Sequence, residues 1–397
     1  MSENPPDKRR RAPSKPPAEP VTAAATPGGP PLVMCPHCES QVPAGEFCGH
    51  CGAHLRTADT DRRHAFAAMP NEPVIHFNVI STLFPHLSHR HGGPFRWALI
   101  AGVVFVVLLA ALHLFAPATA AAAFLLPALY LLYLYEVEVY EEEPWLLIGA
   151  TMVAGAVLGY AFVELAERAA TVSTLAGDTS SSFALRGVAI PIVAQALMLA
   201  GPLFLYLARS RYREPLDGLT FGAASALGFS LAAELVSLWP LLGGPLIASG
   251  NPVDWALRLL RLGVLVSLVN ASTTGMIAAS LWLHRYDARR AKRSWEVSLL
   301  ATLIVGFGVQ VVLGALTYTI RDLIVQVLVW AVATVALMLY ARQVIHQSLL
   351  SEGVEHEIGP DSQCPECHHI VPTMLFCPNC GASRLAAARS SRGGRVA

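Results

Sequence analysis

Long unbroken apolar runs separated by short polar stretches fill the middle of the chain, and near both ends the pattern gives way to polar, Pro- and Gly-rich sequence. The runs lack the period-2 alternation of half-buried strands and the polar stripe of a surface helix, and each reaches the ~20 residues that a helix needs to cross a bilayer. They are placed near 95–116, 118–137, 145–166, 187–208, 219–239, 262–283, 297–317 and 322–342. The pattern predicts an all-α polytopic membrane protein of about eight transmembrane helices, and an even count puts both termini on one side.

Composition agrees: 54% of the 397 residues are hydrophobic, 14% are charged and the mean hydropathy is +0.48, against about 25% charged residues in ordinary soluble domains. A formal net charge of zero says nothing about partners, whereas the placement of charge does. Arg209, Arg211 and Arg213 crowd one loop and Arg285, Arg289, Arg290, Lys292 and Arg293 another, while Arg168, Arg186, Arg258, Arg261 and Arg321 are spread over the connections of the opposite side. The positive-inside rule then predicts a multi-pass cell-membrane protein with both termini cytoplasmic. The first 30 residues contain no apolar run of the signal-peptide kind. The basic tails at 8–11 and 389–395 could touch anionic lipid or nucleic acid, but short basic tails are commonly just solvated, so membrane lipid is the expected partner and nucleic acid is not.

All eight cysteines lie in the polar ends, as Cys35, Cys38, Cys48 and Cys51, and as Cys364, Cys367, Cys377 and Cys380. Each set is CxxC, nine residues, CxxC, with a Phe before the third Cys (Phe47, Phe376) and a Gly after the fourth (Gly52, Gly381). Two such turns offer four thiolates to one tetrahedral ion, which predicts two structural Zn²⁺ sites and no open coordination position for catalysis. A redox CxxC would need a βαβ context that is absent, and a reducing compartment suits thiolate ligands. His37, His50, His54, His368 and His369 are expected to be surface residues. These segments resemble small zinc ribbons of the double-zinc-ribbon type. Ribbons of this kind imply structural or protein-binding modules, and as each is too small for a core of its own, each is expected to fold on its own metal and to lose it independently.

The expected organisation is a disordered tail (1–32), ribbon 1 (33–56), a linker with a His-rich juxtamembrane segment (57–94), the membrane domain (95–345), a linker (346–361), ribbon 2 (362–385) and a basic tail (386–397). In the juxtamembrane segment His76, His86, His89 and His91 stand among Phe, Leu and Ile, which favours an interfacial segment over a metal tract.

Polar side chains within spans are costly and are functional candidates by default: His113, Glu164, Glu167, Gln195, Glu234, Asn270, Gln310 and Gln326. Two stretches, "YEEEPW" (140–145) and "REPLDGLTFGAASALGF" (213–229), carry a resemblance to the PrsW family of intramembrane metalloproteases, with Glu141, Glu143, Pro144, Pro215, Asp217, Gly218, Gly222, Gly228 and Phe229 matching. The resemblance implies a bacterial membrane scaffold over roughly 120–340 and three catalytic motifs. In place of EExxK stand Ala194, Gln195 and Met198. The FxxxE spacing is broken, because Phe229 is followed by Glu234 one residue late, a turn of about 100° on a helix. In the place of the family's His stands Asn270, and an amide does not replace imidazole as a ligand. Gln195, Glu234 and Asn270 are therefore vestigial site candidates. The reading is a pseudoprotease, a PrsW-like scaffold that is not an enzyme and presents cytoplasmic zinc ribbons to a protein partner. The alternatives are a diverged intramembrane metalloprotease and a transporter or channel.

Overall fold

A computed structural model describes residues 31–36, 39–55, 93–137, 145–175, 182–208, 215–242, 251–286, 298–353, 358–364 and 367–381. The acidic Glu141–Pro144 stretch, the loop arginines at 209–213, the basic cluster at 289–293, Cys38, His37 and the His-rich segment lie outside these residues.

Apolar runs become helices: α1 (Gly93–Ala111), α2 (Phe115–Val137), α3 (Trp145–Leu175), α4 (Ile190–Ala208), α5 (Pro215–Leu242), α6 (Pro252–Leu259), α7 (Ser267–Tyr286), α8 (Leu299–Thr319) and α9 (Leu323–Gly353). Two π-helical segments lead into helices, Ala184–Ala189 into α4 and Leu260–Val266 joining α6 to α7. Seven of the resulting rods are long and apolar enough to cross a membrane, and an eighth, Phe95–Ala111, is apolar but shorter. The expected first span to residue 116 is cut at Ala111, because the chain turns at Leu112–Leu114 with His113 in the left-handed region (φ 58°) before α2 begins. His113 is thus an exposed turn residue and not a polar group within a span.

The surfaces are inverted relative to a soluble bundle. Leu146, Phe204, Leu207, Trp239 and Val332 point outward, as lipid permits. The centre is α5, flanked by α3 on one side and α7 on the other. Small residues set both approaches: a Cβ on Gly228 would lie 1.9 Å from the Met152 carbonyl oxygen, and one on Gly222 would lie 2.8 Å from the Gly275 Cα. Without a hydrophobic force between helices in lipid, this close backbone packing is what van der Waals attraction works through. Phe95, Tyr133, Phe221 and Trp282 fill one core on α1, α2, α5 and α7, while Met276, Leu313, Trp330 and Val344 fill a second on α7, α8 and α9.

Outside the helices stand two small hairpins, β1 (Leu32–Met34) with β2 (Gln41–Pro43), and β3 (Asp361–Gln363) with β4 (Ile370–Pro372), each antiparallel. Although more than 300 residues separate them in sequence, they dock on one another. The Phe47 amide donates to the Pro378 carbonyl and the Phe376 amide to the Gly49 carbonyl, both at 2.9 Å. Phe47 lies over Gly381 and Phe376 over Gly52. Gly49 and Pro378 each follow the third Cys of their ribbon, and Phe47 and Phe376 each precede it, so the contact is isologous, like that of a two-fold dimer. Met374 of the second hairpin enters the cysteine core of the first.

Candidate functional site

Two kinds of site emerge, the cysteine groups and a polar interior. In ribbon 2, Cys364, Cys367, Cys377 and Cys380 present sulfurs that all lie within 4.8 Å of one another. The Cys364–Cys380 and Cys367–Cys377 pairs stand at 3.8 Å, far beyond a disulfide bond of about 2.0 Å. Zn–S bonds of ~2.3 Å give a tetrahedron with edges of about 3.8 Å, so the sulfurs fit a tetrahedral ion. Hydrogen bonding with Cys364 first, and burial as well, push the Cys377 thiol up to about 11 against opposing hydrogen bonds from Cys380 and Asn379. Ribbon 1 repeats the arrangement, with Cys35, Cys48 and Cys51 grouped and Cys35–Cys51 at 3.8 Å. Left-handed backbone at Glu39 and His368, and at Gly52 and Gly381, follows the second and fourth cysteine of each set. These turns aim the thiolates inward. Among the flanking histidines, His54 stacks tilted on Phe47, and His369 is exposed and contacts the Cys367 carbonyl.

The interior site is built on α4, α5, α7 and α8. Gln195 is completely buried; its Nε2 donates to Thr274 (3.1 Å), and its Oε1 accepts from Thr273 (2.9 Å) and from Gln310 (3.1 Å). The Gln310 amide also donates to Asn270 Oδ1 at 2.8 Å, and Asn270 Nδ2 donates to Ser230 at 2.9 Å. One turn along α5 and α7, Ser267 donates to Glu234 Oε1 at 3.1 Å. The structure thus brings Gln195 and Asn270 into one network through Gln310, and places Glu234 beside it. The extra residue after Phe229 does not turn Glu234 away: Ser230 and Glu234 are four apart on α5 and meet Asn270 and Ser267, three apart on α7. The hydroxyls Ser230, Ser267, Thr273 and Thr274 were not singled out by sequence reasoning, though the run "SLVNASTTG" is the polar interruption of its span.

The remaining intramembrane candidates stand apart. Glu164 pairs with Arg168 at 3.5 Å on an exposed face, and Glu167 is exposed. Gln326 accepts from Arg261 and donates to the Thr317 carbonyl, tying α8 to α9.

The fold defines a polytopic α-helical membrane protein with a hydrogen-bonded polar centre. Residues 143–343, just over half of the chain, match the PrsW-protease family, described as PrsW family intramembrane metalloprotease, and the chain belongs to that family. No curated protein and no solved structure matches the chain.

Among the described residues, this interior does not fit a family metal. Both lone pairs of Gln195 Oε1 are engaged by internal donors, Asn270 Oδ1 accepts from Gln310, and the one carboxylate of the network, Glu234, offers a single free oxygen. Catalytic zinc takes three protein ligands and keeps one position open. Among the described residues, the groups of His, Cys, Asp or Glu close enough to share an ion are the two cysteine sets.

Proposed function

We propose that this PrsW-family protein is a non-catalytic membrane scaffold whose joined zinc ribbons form a cytoplasmic surface for a protein partner. The observation that carries it is the Gln195–Gln310–Asn270 network, in which amides bonded to each other occupy the centre where the family's chemistry would need a metal and a general base. An amide network of this kind is a structural glue between α4, α7 and α8. Zinc is the metal assigned to both cysteine sets, on their spacing and sulfur–sulfur distances.

The docking of the two ribbons supports a topology with both ends on one side of the membrane, hence an even number of crossings, in which α1 crosses as the eighth span beside the seven longer rods. Its 17-residue apolar segment, Phe95–Ala111, reaches about 25 Å, a few ångströms short of an average hydrocarbon core, and local thinning accommodates such a mismatch at modest cost.

Elemental analysis tests the reading. Purified protein should carry about two zinc ions per chain, one for each closed four-thiolate site. With the cysteines of both ribbons changed to serine, zinc should fall to background. An ion retained in that variant and lost on Glu234→Ala or Asn270→Ala would bring the metalloprotease reading forward instead.

A further inference from the structure

Between α2, α5 and the π-helical segment ahead of α7 lies a cavity of about 160 Å³, whose polar wall is Thr119, Ser230, Glu234, Ser237 and Asn270. It sits at the end of the bundle where α2 starts and α5 approaches its C-terminus. Glu234 is 93% buried; Ser267 satisfies its Oε1, while Oε2 has no hydrogen-bond partner. A buried carboxylate oxygen without a donor is costly, and in a membrane it marks a site that something else completes.

The wall decides what that something is. Thr119 donates its hydroxyl proton to the Phe115 carbonyl at 2.8 Å, and Ser237 donates its own to Ala233 at 2.8 Å. What these two present to the cavity is therefore acceptor lone pairs, in line with Glu234 Oε2. No Lys, Arg or His is among the described lining residues. Arg261, next to the lining Leu262, reaches Gln326 instead. The site lacks positive charge; its donors are the Ser230 hydroxyl and the second N–H of Asn270, and the rest of its lining, including Leu262 and Leu238, is apolar.

We infer that this cavity binds a small alkylammonium group, its N–H donors shared between Glu234 Oε2 and the hydroxyl oxygens of Thr119 and Ser237, and its short alkyl body against the apolar wall. The volume is below the ~300 Å³ of ordinary ligand pockets, so the occupant is a fragment, either a free amine or the end of an aliphatic amine side chain. The inference deepens the non-catalytic reading and rests on it, since it gives Glu234 to an organic cation and not to a metal.

The test uses the full chain in nanodiscs and follows thermal unfolding by tryptophan fluorescence, as a ligand that binds only the folded state raises the midpoint in a saturable way. The probes are n-butylammonium, uncharged n-butanol, Na⁺ and K⁺ at matched ionic strength, and Zn²⁺. Butylammonium should raise the midpoint with an apparent Kd of about millimolar, and butanol should not. Glu234→Gln, and Ala233→Leu, which fills the cavity with the carboxylate kept, should each weaken binding about tenfold or more. A hydrophobic carbodiimide should label Glu234 in the wild type, with butylammonium protecting it. An equal shift in Glu234→Gln, no saturable shift in the wild type, or a shift with Na⁺ or K⁺ alone would overturn the alkylammonium site while leaving the non-catalytic reading standing. Zinc stabilisation that needs Glu234 in the full chain with all ribbon cysteines changed to serine would overturn both.

Discussion

Changing Cys364 and Cys377 to serine should strip zinc from both ribbons, taking the content from about two ions per chain to well under one. Sequence reasoning expects one ion to remain, because each cysteine set closes a site by itself. The joined hairpins change that expectation. Each hairpin has strands of three residues, too little to bury a core, and each borrows one from the other. Met374 lies in the core of Cys35, Cys48 and Cys51, Phe376 covers Gly52, and Phe47 covers Gly381. When ribbon 2 loses its ion, Met374 and Phe376 leave ribbon 1, and with them the shielding of its thiolates from water and competing protons. Elemental analysis, together with alkylation of Cys35, Cys48 and Cys51 in the Cys364→Ser/Cys377→Ser protein, checks this; one full equivalent of zinc with protected thiols would show that the ribbons load separately.

Gly228→Val should prevent the membrane bundle from accumulating in folded form, with a loss of about 3 kcal/mol or more. A Cβ at Gly228 would lie 1.9 Å from the Met152 carbonyl oxygen, and reciprocally one at Gly155 would lie 2.1 Å from the Ser225 oxygen and one at Gly159 2.4 Å from the Phe229 oxygen. Backbone meets backbone at all three, so no side-chain rotamer relieves the clash, and α3 and α5 must move apart. The displacement would shift Ser230 and Glu234 relative to α7 and disturb the polar network. Gly149→Ala and Gly308→Ala, where nothing lies within 4 Å of an added Cβ, should cost little and gain slightly in helix propensity. Size-exclusion profiles and unfolding midpoints of the three variants give the comparison.

Helix number and order were legible in the sequence because a bilayer demands one simple thing of each span, a run of apolar residues long enough to cross. The short end of α1 was not: "LHLFAPA" stays apolar through the turn at His113, so hydropathy alone runs across it. The spacing of the cysteines foretold the two clusters that could hold metal ions, seven of the eight lying among the described residues. In the membrane, Gln195, Glu234 and Asn270 were legible as single costly residues, but their partners were not. Gln310 lies on a different helix, 115 residues from Gln195, and no periodicity within one span reports which face of another it will meet. The inward aim of Glu234 was obscured by measuring from Phe229, whereas the contact that sets it is the Ser230–Asn270 and Ser267–Glu234 ladder between α5 and α7. The docking of the ribbons was equally hidden, since two copies of a motif look the same in sequence whether they stand alone or pair.

That pairing orders the making of the protein in time. Ribbon 1 leaves the ribosome before the first helix does, and its partner surface around Met374 and Phe376 is synthesised after the last. Through the whole of insertion the first ribbon waits without its mate, and a single missed crossing would leave the two facing opposite compartments. Pairing of the ribbons thus reports the parity of threading: ends that join have an even number of crossings between them.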